Sequence, residues 1–172
     1  MNRSIFKLMA MLFVALAGAG FTACSDDDDD SIRPDDSSTI VGLWQSVELK
    51  AWIEEEDGPF DQAAWDGMPM QPNEKTRIEF TADGVTRQWI RHGDSWSIML
   101  QDGTYVVNDA GTAFDLTIGD ETVHYTIYSL TDEEMVLGSH QVDIIDGAEE
   151  HFYDKGRFRR IPDDTPAIPG VG

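Results

Sequence analysis

The stretch 103–127, GTYVVNDAGTAFDLTIGDETVHYTI, decides the fold. Phe114, Leu116 and Ile118 fall on alternate positions, with Asp115 and Thr117 between them. Val123, Tyr125 and Ile127 repeat the pattern against Thr122, His124 and Thr126. Successive strand residues point to opposite faces, so each run has one apolar and one polar face. An antiparallel sheet with one solvated side requires that alternation. Ala110-Gly111 and Gly119-Asp120 punctuate the runs as turn signals.

The same grammar extends outward on both sides. Ile78 and Phe80 alternate with Arg77 and Glu79, and Trp96, Ile98 and Leu100 share a face. Further turn signals stand at Asp83-Gly84, His92-Gly93, Asp102-Gly103, Asp146-Gly147 and Lys155-Gly156. The spacing predicts strands over 41–53, 75–82, 85–91, 95–100, 104–108, 113–118, 122–129, 134–142 and 150–161. The segment 129–134 reads as a tight connection, with Thr131 or Asp132 capping a single helical turn. An all-β chain of this kind buries its strand edges by closing into an antiparallel up-and-down barrel of about eight strands. A β-sandwich is the alternative.

Composition bounds the function. The 172 residues carry 33 acidic and 12 basic side chains, a formal net charge of −21. Such a surface repels phosphate backbones, which excludes nucleic acid as a partner. The hydrophobic share of 41% suits a packed domain rather than a disordered chain. Cys24 is the only cysteine, which rules out an internal disulfide and thiolate-pair zinc sites.

The front of the chain reads as targeting sequence. Arg3 and Lys7 precede an apolar run over 8–19, shorter than the roughly 20 residues a membrane span needs. A basic start, a short apolar stretch and small residues before a cut site describe a signal peptide over 1–23. Phe21-Thr22-Ala23-Cys24 resembles the lipobox of bacterial lipoproteins, with Phe21 where an aliphatic residue is usual. That resemblance implies cleavage before Cys24 and lipidation of its thiol, with the acyl chains as a membrane anchor. Ser25 and the aspartate run 26–30 resemble the acidic export signal of Bacteroidota lipoproteins. It implies an outer-membrane protein facing the extracellular side. Five successive carboxylates repel one another and cannot pack in a core, so 24–38 reads as a tether. The barrel is expected over 39–161, and 162–172, with Pro162, Pro166 and Pro169, as a flexible tail.

Within the domain, Gly42-Leu43-Trp44 opens the first strand. The runs 103–107 and 114–118 follow, then Tyr125-Thr126-Ile127, Leu130-Thr131, Met135-Val136-Leu137 and Phe158-Arg159-Arg160-Ile161. That ordered series resembles the lipocalin-like domains of Bacteroidota lipoproteins. The resemblance implies a small up-and-down barrel whose Trp44 packs at the closed end against Arg160 or Arg159. It implies structural roles for these residues and leaves the ligand type open.

Candidate site residues come from the aromatics. The segment 54–74 is the longest non-strand stretch and holds Trp65 and Met68 among its apolar residues. Such a loop covers a cavity mouth, or packs its own apolar side chains on the barrel wall. Trp89, Trp96, Tyr105 and Tyr125 are pocket-lining candidates, although strand aromatics commonly belong to the core. His92, His124, His140 and His151 lack helical ligand spacing, so no metal is expected. No nucleophile elbow or phosphate-binding glycine loop appears, so neither catalysis nor a cofactor is expected. The function expected is binding of a small apolar or amphipathic ligand by a surface lipoprotein. The alternative is a non-catalytic structural or interaction subunit docked to an outer-membrane protein partner.

Overall fold

The computed structural model describes residues 39–145 and 147–162. The signal peptide, Cys24, the acidic tether and the C-terminal tail lie outside the described residues.

Nine strands follow the chain: β1 Gly42–Ile53, β2 Gln71–Pro72, β3 Thr76–Phe80, β4 Val85–His92, β5 Ser95–Val107, β6 Ala113–Ile118, β7 Glu121–Leu130, β8 Glu134–Ile145 and β9 Ala148–Ile161. Two short helices, α1 Glu54–Asp57 and α2 Gln62–Gly67, sit between β1 and β2. β1 pairs with β3, sequential neighbours pair antiparallel from β3 to β9, and β9 pairs back to β1. Eight strands therefore close a barrel with no free edge. β2 adds a two-pair extension on β1, Glu48 opposite Pro72 and Leu49 opposite Gln71.

One end of the barrel is packed solid. Trp44, Ile78, Phe80, Phe114, Met135 and Phe158 lie there among the buried core residues. Phe80 makes edge contacts with Tyr105 at 5.0 Å and with Phe114 at 5.4 Å between ring centroids. Arg160 closes this end. It lies opposite Trp44 in the β1–β9 register, and its guanidinium carbon stands 4.1 Å from the Trp44 ring centroid. The resemblance left Arg159 and Arg160 open; Arg160 takes the position, and Arg159 lies opposite Gln45 instead.

Three local expectations are corrected. The runs 95–100 and 104–108 belong to one strand, β5, so Asp102-Gly103 is not a turn. Asp102 instead takes φ 66°, and the β4–β5 register shifts between Thr86 and Gln88. This is an extra-residue bulge, which Asp tolerates better than most residues. Gly103 is needed for space: a Cβ there would stand 2.8 Å from both Leu100 Cδ2 and Thr86 Cγ2. Lys155-Gly156 likewise lies inside β9, with Gly156 opposite Leu49 and Leu137. Thr131 caps a hairpin rather than a helical turn: its Oγ1 accepts from Glu134 N at 2.9 Å and Glu133 N at 3.3 Å.

Candidate functional site in the barrel interior

The register fixes which side chains face inward. Met135 opposes Phe158, Leu137 opposes Gly156, Ser139 opposes Asp154 and Gln141 opposes Phe152. Met135, Leu137 and Phe158 are core residues, so this whole alternate set points into the barrel. Asp154 is therefore an inward-facing carboxylate. It extends one cross-strand row: Val107 opposite Phe114, Phe114 opposite Tyr125, Tyr125 opposite Ser139, Ser139 opposite Asp154, and Asp154 opposite Ala51. The row runs from aromatic on β6 and β7 to polar on β8 and β9.

Asp154 is buried, and Ser139 gives it two hydrogen bonds. The Ser139 backbone N–H donates to Oδ1 at 3.1 Å, and its hydroxyl donates to Oδ2 at 2.7 Å. Gln141 Nε2 donates to the Ser139 hydroxyl oxygen at 3.0 Å. Burial pushes the Asp154 carboxyl up to about 7, against the opposing pull of the two Ser139 bonds. Burial, and then the Asp154 charge, push the Tyr125 phenol well above its ordinary range. Tyr125 thus stays neutral while Asp154 titrates near physiological pH.

Other polar atoms enter the same interior. Thr86 and Gln88 lie opposite Phe80 and Ile78 on the inward face of β4. Thr86 Oγ1 and Gln88 Oε1 are buried and have no hydrogen-bond partner among the described residues. Buried polar atoms are normally satisfied, so the Gln88 oxygen asks for a donor and the Thr86 hydroxyl for either a donor or an acceptor. Glu150, also buried, continues the inward face of β9 beyond Phe152 toward the end opposite Trp44.

The six aromatic and methionine candidates divide. Tyr105 and Tyr125 face inward. Tyr105 sits toward the packed end, where its hydroxyl donates to Thr81 O at 2.6 Å. Tyr125 stacks on Phe114 with centroids 5.0 Å apart. Trp89 lies opposite Arg77, and Trp96 lies opposite Arg91, on the outer face. The Arg77 guanidinium covers the Trp96 ring at 4.4 Å. Trp65 and Met68 also lie against the outer wall, where the 54–74 loop packs.

That loop is clamped by β1 and β9. Asp61 caps α2, accepting from Ala63 N at 2.9 Å and Ala64 N at 3.1 Å. Lys50, on the outer face of β1, donates to the Trp65 carbonyl at 2.7 Å and the Met68 carbonyl at 3.4 Å. Its Nζ also stands 4.7 Å from the Trp65 ring centroid. Phe60 stacks on Tyr153 at 3.8 Å, and Tyr153 stacks on His140 at 4.2 Å. Of the two readings of the loop, the geometry is that of apolar packing on the wall.

Sequence reasoning missed Asp154, Ser139 and Gln88. The signal was present: Asp154 occupies a position whose strand-parity partners, Phe152, Gly156 and Phe158, are uncharged. Among the described residues no three His, Cys, Asp or Glu side chains gather to hold a metal ion.

The family model for a lipocalin-like domain matches residues 40–137. No curated protein matches the chain. Among solved structures, the chain is similar to the odorant-binding protein from bovine nasal mucosa, with 14% identity, a TM-score of 0.39, and 72% of each chain covered. It is also similar to a crystal structure of bovine odorant-binding protein complexed with its natural ligand, with 13% identity and a TM-score of 0.40, covering 83% of this chain and 79% of that one. The family match spans more than half of the 172 residues and runs from the start of β1 into β8, so the chain belongs to the lipocalin-like domain family.

Proposed function

We propose that the barrel binds a small amphipathic molecule in its interior, along the inward row that leaves the packed end at Phe114 and reaches Asp154. The observation that carries this reading is the inward row Phe114–Tyr125–Ser139–Asp154. It sets stacked aromatic rings beside a buried, hydrogen-bonding carboxylate. Ligand sites combine an apolar lining with a few convergent polar groups, and this row has that composition. Thr86 and Gln88 add polar atoms without partners among the described residues to the inner face of β4, nearer the packed end. Tyr125 stays in the proposed site, and Tyr105 borders it from the packed end, 6.4 Å from Phe114 between ring centroids; Trp65, Met68, Trp89 and Trp96 act from outside, by holding the wall in shape. The role is binding rather than catalysis.

The test is displacement of a neutral fluorescent probe, N-phenyl-1-naphthylamine, from the full chain in mild detergent. Probe fluorescence should rise on binding and fall when Tyr125→Ala or Leu137→Phe alters the interior. A probe signal that both substitutions leave untouched would remove the interior as the site.

The leader supports a second part of the proposal. We infer that Cys24 is lipidated and anchors the protein in the outer membrane with the barrel facing outward. Cys24→Ala should release the protein from membranes. Protease added to intact cells should digest the barrel; protection until lysis would place it on the periplasmic side.

A further inference from the structure

Placing a carboxylate in an apolar interior is costly unless a partner of suitable chemistry meets it. Asp154 receives both of its hydrogen bonds from one residue, Ser139, leaving lone pairs on each oxygen. Glu150 stands on the same inward face of β9, so the side of the interior away from Trp44 carries two acidic groups. The groups that neighbour Asp154 from the strands packed on it are Tyr125 on β7, Ser139 and Gln141 on β8, and Ala51 on β1. None of these is basic. The basic residue beside Ala51 in sequence, Lys50, points outward and holds the Trp65 and Met68 carbonyls. Gln88 Oε1 is one more buried acceptor without a donor. The surroundings of Asp154 thus offer hydrogen-bond acceptors and an ionisable carboxylate with no basic neighbour on the facing strands.

Resting on the proposed ligand site, we propose that the polar end of its ligand is a protonated amine that pairs with the Asp154 carboxylate while the apolar part packs along Tyr125 and Phe114. An ammonium offers only donors, which complements the Asp154 oxygens. A carboxylate-headed ligand would meet the like charge of ionised Asp154 in a low-dielectric interior and be disfavoured. The pairing depends on pH through Asp154, whose neighbours Tyr125, Ser139 and Gln141 stay neutral. Burial raises the Asp154 carboxyl to about 7, so at acidic pH it is protonated and the ammonium loses its counter-charge. Alkylamines keep their proton across this range.

Decylamine, decanol and decanoate share one apolar chain and differ in head group. Each is tested against the full chain by calorimetry and by displacement of N-phenyl-1-naphthylamine, at pH 8 and pH 5.5. At pH 8, decylamine should bind about tenfold or more tightly than decanol, the scale of one charge-assisted hydrogen bond, and decanoate weakest. The amine advantage should shrink at pH 5.5 and in Asp154→Asn, while decanol binding holds. If Asp154→Asn does not fold, the pH comparison on the unaltered chain decides. Equal binding of all three overturns the amine and leaves the ligand site standing. No binding of probe or of any of the three overturns the ligand site and the amine with it.

Discussion

Trp44 and Arg160 face each other across β1 and β9, and the guanidinium that covers the indole also ties three backbone carbonyls in two separate segments. Arg160 Nη1 donates to Val41 O at 2.6 Å, Nη2 to Thr39 O at 2.7 Å, and Nε to Asp132 O at 2.6 Å. The Trp44 indole N–H donates to Ile40 O at 2.8 Å. Together they fasten the entry chain and the β7–β8 hairpin over the packed end. Gly42 makes room: its φ is 140°, and an added Cβ would run into Arg160 Nη1. Arg160→Ala should cost about 1–3 kcal/mol, as expected for hydrogen bonds from a charged donor. Arg160→Lys should recover little, because an ammonium lacks the planar fork that reaches three carbonyls. Trp44→Ala should cost about 3–5 kcal/mol, the range for deleting a large buried aromatic. Urea unfolding of the three variants checks the order.

The loop over 54–74 should come loose without the barrel. Lys50 links β1 to the C-terminal end of α2 through the Trp65 and Met68 carbonyls. Lys50→Met keeps the apolar stem and removes the ammonium. Limited proteolysis should then cut first within 54–74, while the midpoint of barrel unfolding falls by the equivalent of about 1–2 kcal/mol. Trp65→Ala should do the same. Equal loss of loop and barrel in one step would show that the loop is part of the barrel's cooperative unit.

How much of this was legible in the sequence follows from what alternation can and cannot encode. Phe114, Leu116 and Ile118 against Asp115 and Thr117 give the strand and its inner face directly, because only one face is apolar. β4 defeats the same reasoning: Trp89 lies on the outer face and is 4% exposed, while Gln88 lies inward and is also 4% exposed. There the apolar residue and the interior part company: Trp89 and Trp96 lie on the outer face, while Tyr105, farther along β5, faces inward. Asp102-Gly103 has turn chemistry but serves a bulge inside β5. Asp154 went unread because its one local mark, the uncharged alternation of Phe152, Gly156 and Phe158, is weak among 33 acidic residues; the register opposite Ser139 makes its inward direction plain.

Gly103 tests that distinction between turn and bulge. Were it a turn residue, alanine would chiefly perturb a solvent-exposed hairpin. Its Cβ would instead press on Leu100 and Thr86 inside the barrel. Gly103→Ala should cost about 1–3 kcal/mol through overpacking. Gly103→Ala combined with Leu100→Ala should recover part of that loss, since the second change opens the space the first one fills. Additive losses would show that the clash is not with Leu100.

His140 makes the outer wall sensitive to mild acid. Its Nε2 stands 3.0 Å from His151 Nδ1, and its ring stacks on Tyr153, which carries Phe60. Burial first, and then His151, push the His140 pKa below its ordinary value, with Glu54 opposing. A histidine whose folded pKa is lowered binds fewer protons folded than unfolded across that window. Its contribution is therefore present above the ordinary value of about 6.5 and is lost as pH falls below it. Fluorescence from Trp52 and Trp65 should change as pH falls from about 6.5 toward 5, and His140→Gln should flatten the change. Persistence of the full change in His140→Gln would assign it elsewhere.

Asp154 should shift stability in the opposite sense. Its carboxyl is raised to about 7 by burial, from 3.8 when free. The folded chain then holds more protons than the unfolded one between those two values. Stability from this group is greatest at acidic pH, falls as pH rises through the window, and levels off above about 7. The whole span is at most about 4 kcal/mol, from 1.36 kcal/mol per pKa unit. Asp154→Asn keeps the shape and an acceptor for Ser139 and removes the ionisation. It should leave the chain more stable than the unaltered protein at pH 8 and close to it at pH 5, read as thermal midpoints across that range. The variant would thus gain stability at the pH where a cationic ligand needs the charge, the relation expected when a costly buried group is kept for binding rather than for folding. A thermal midpoint lower than that of the unaltered chain at pH 8 would show instead that the Asp154–Ser139 pairing holds β8 to β9 in its ionised form.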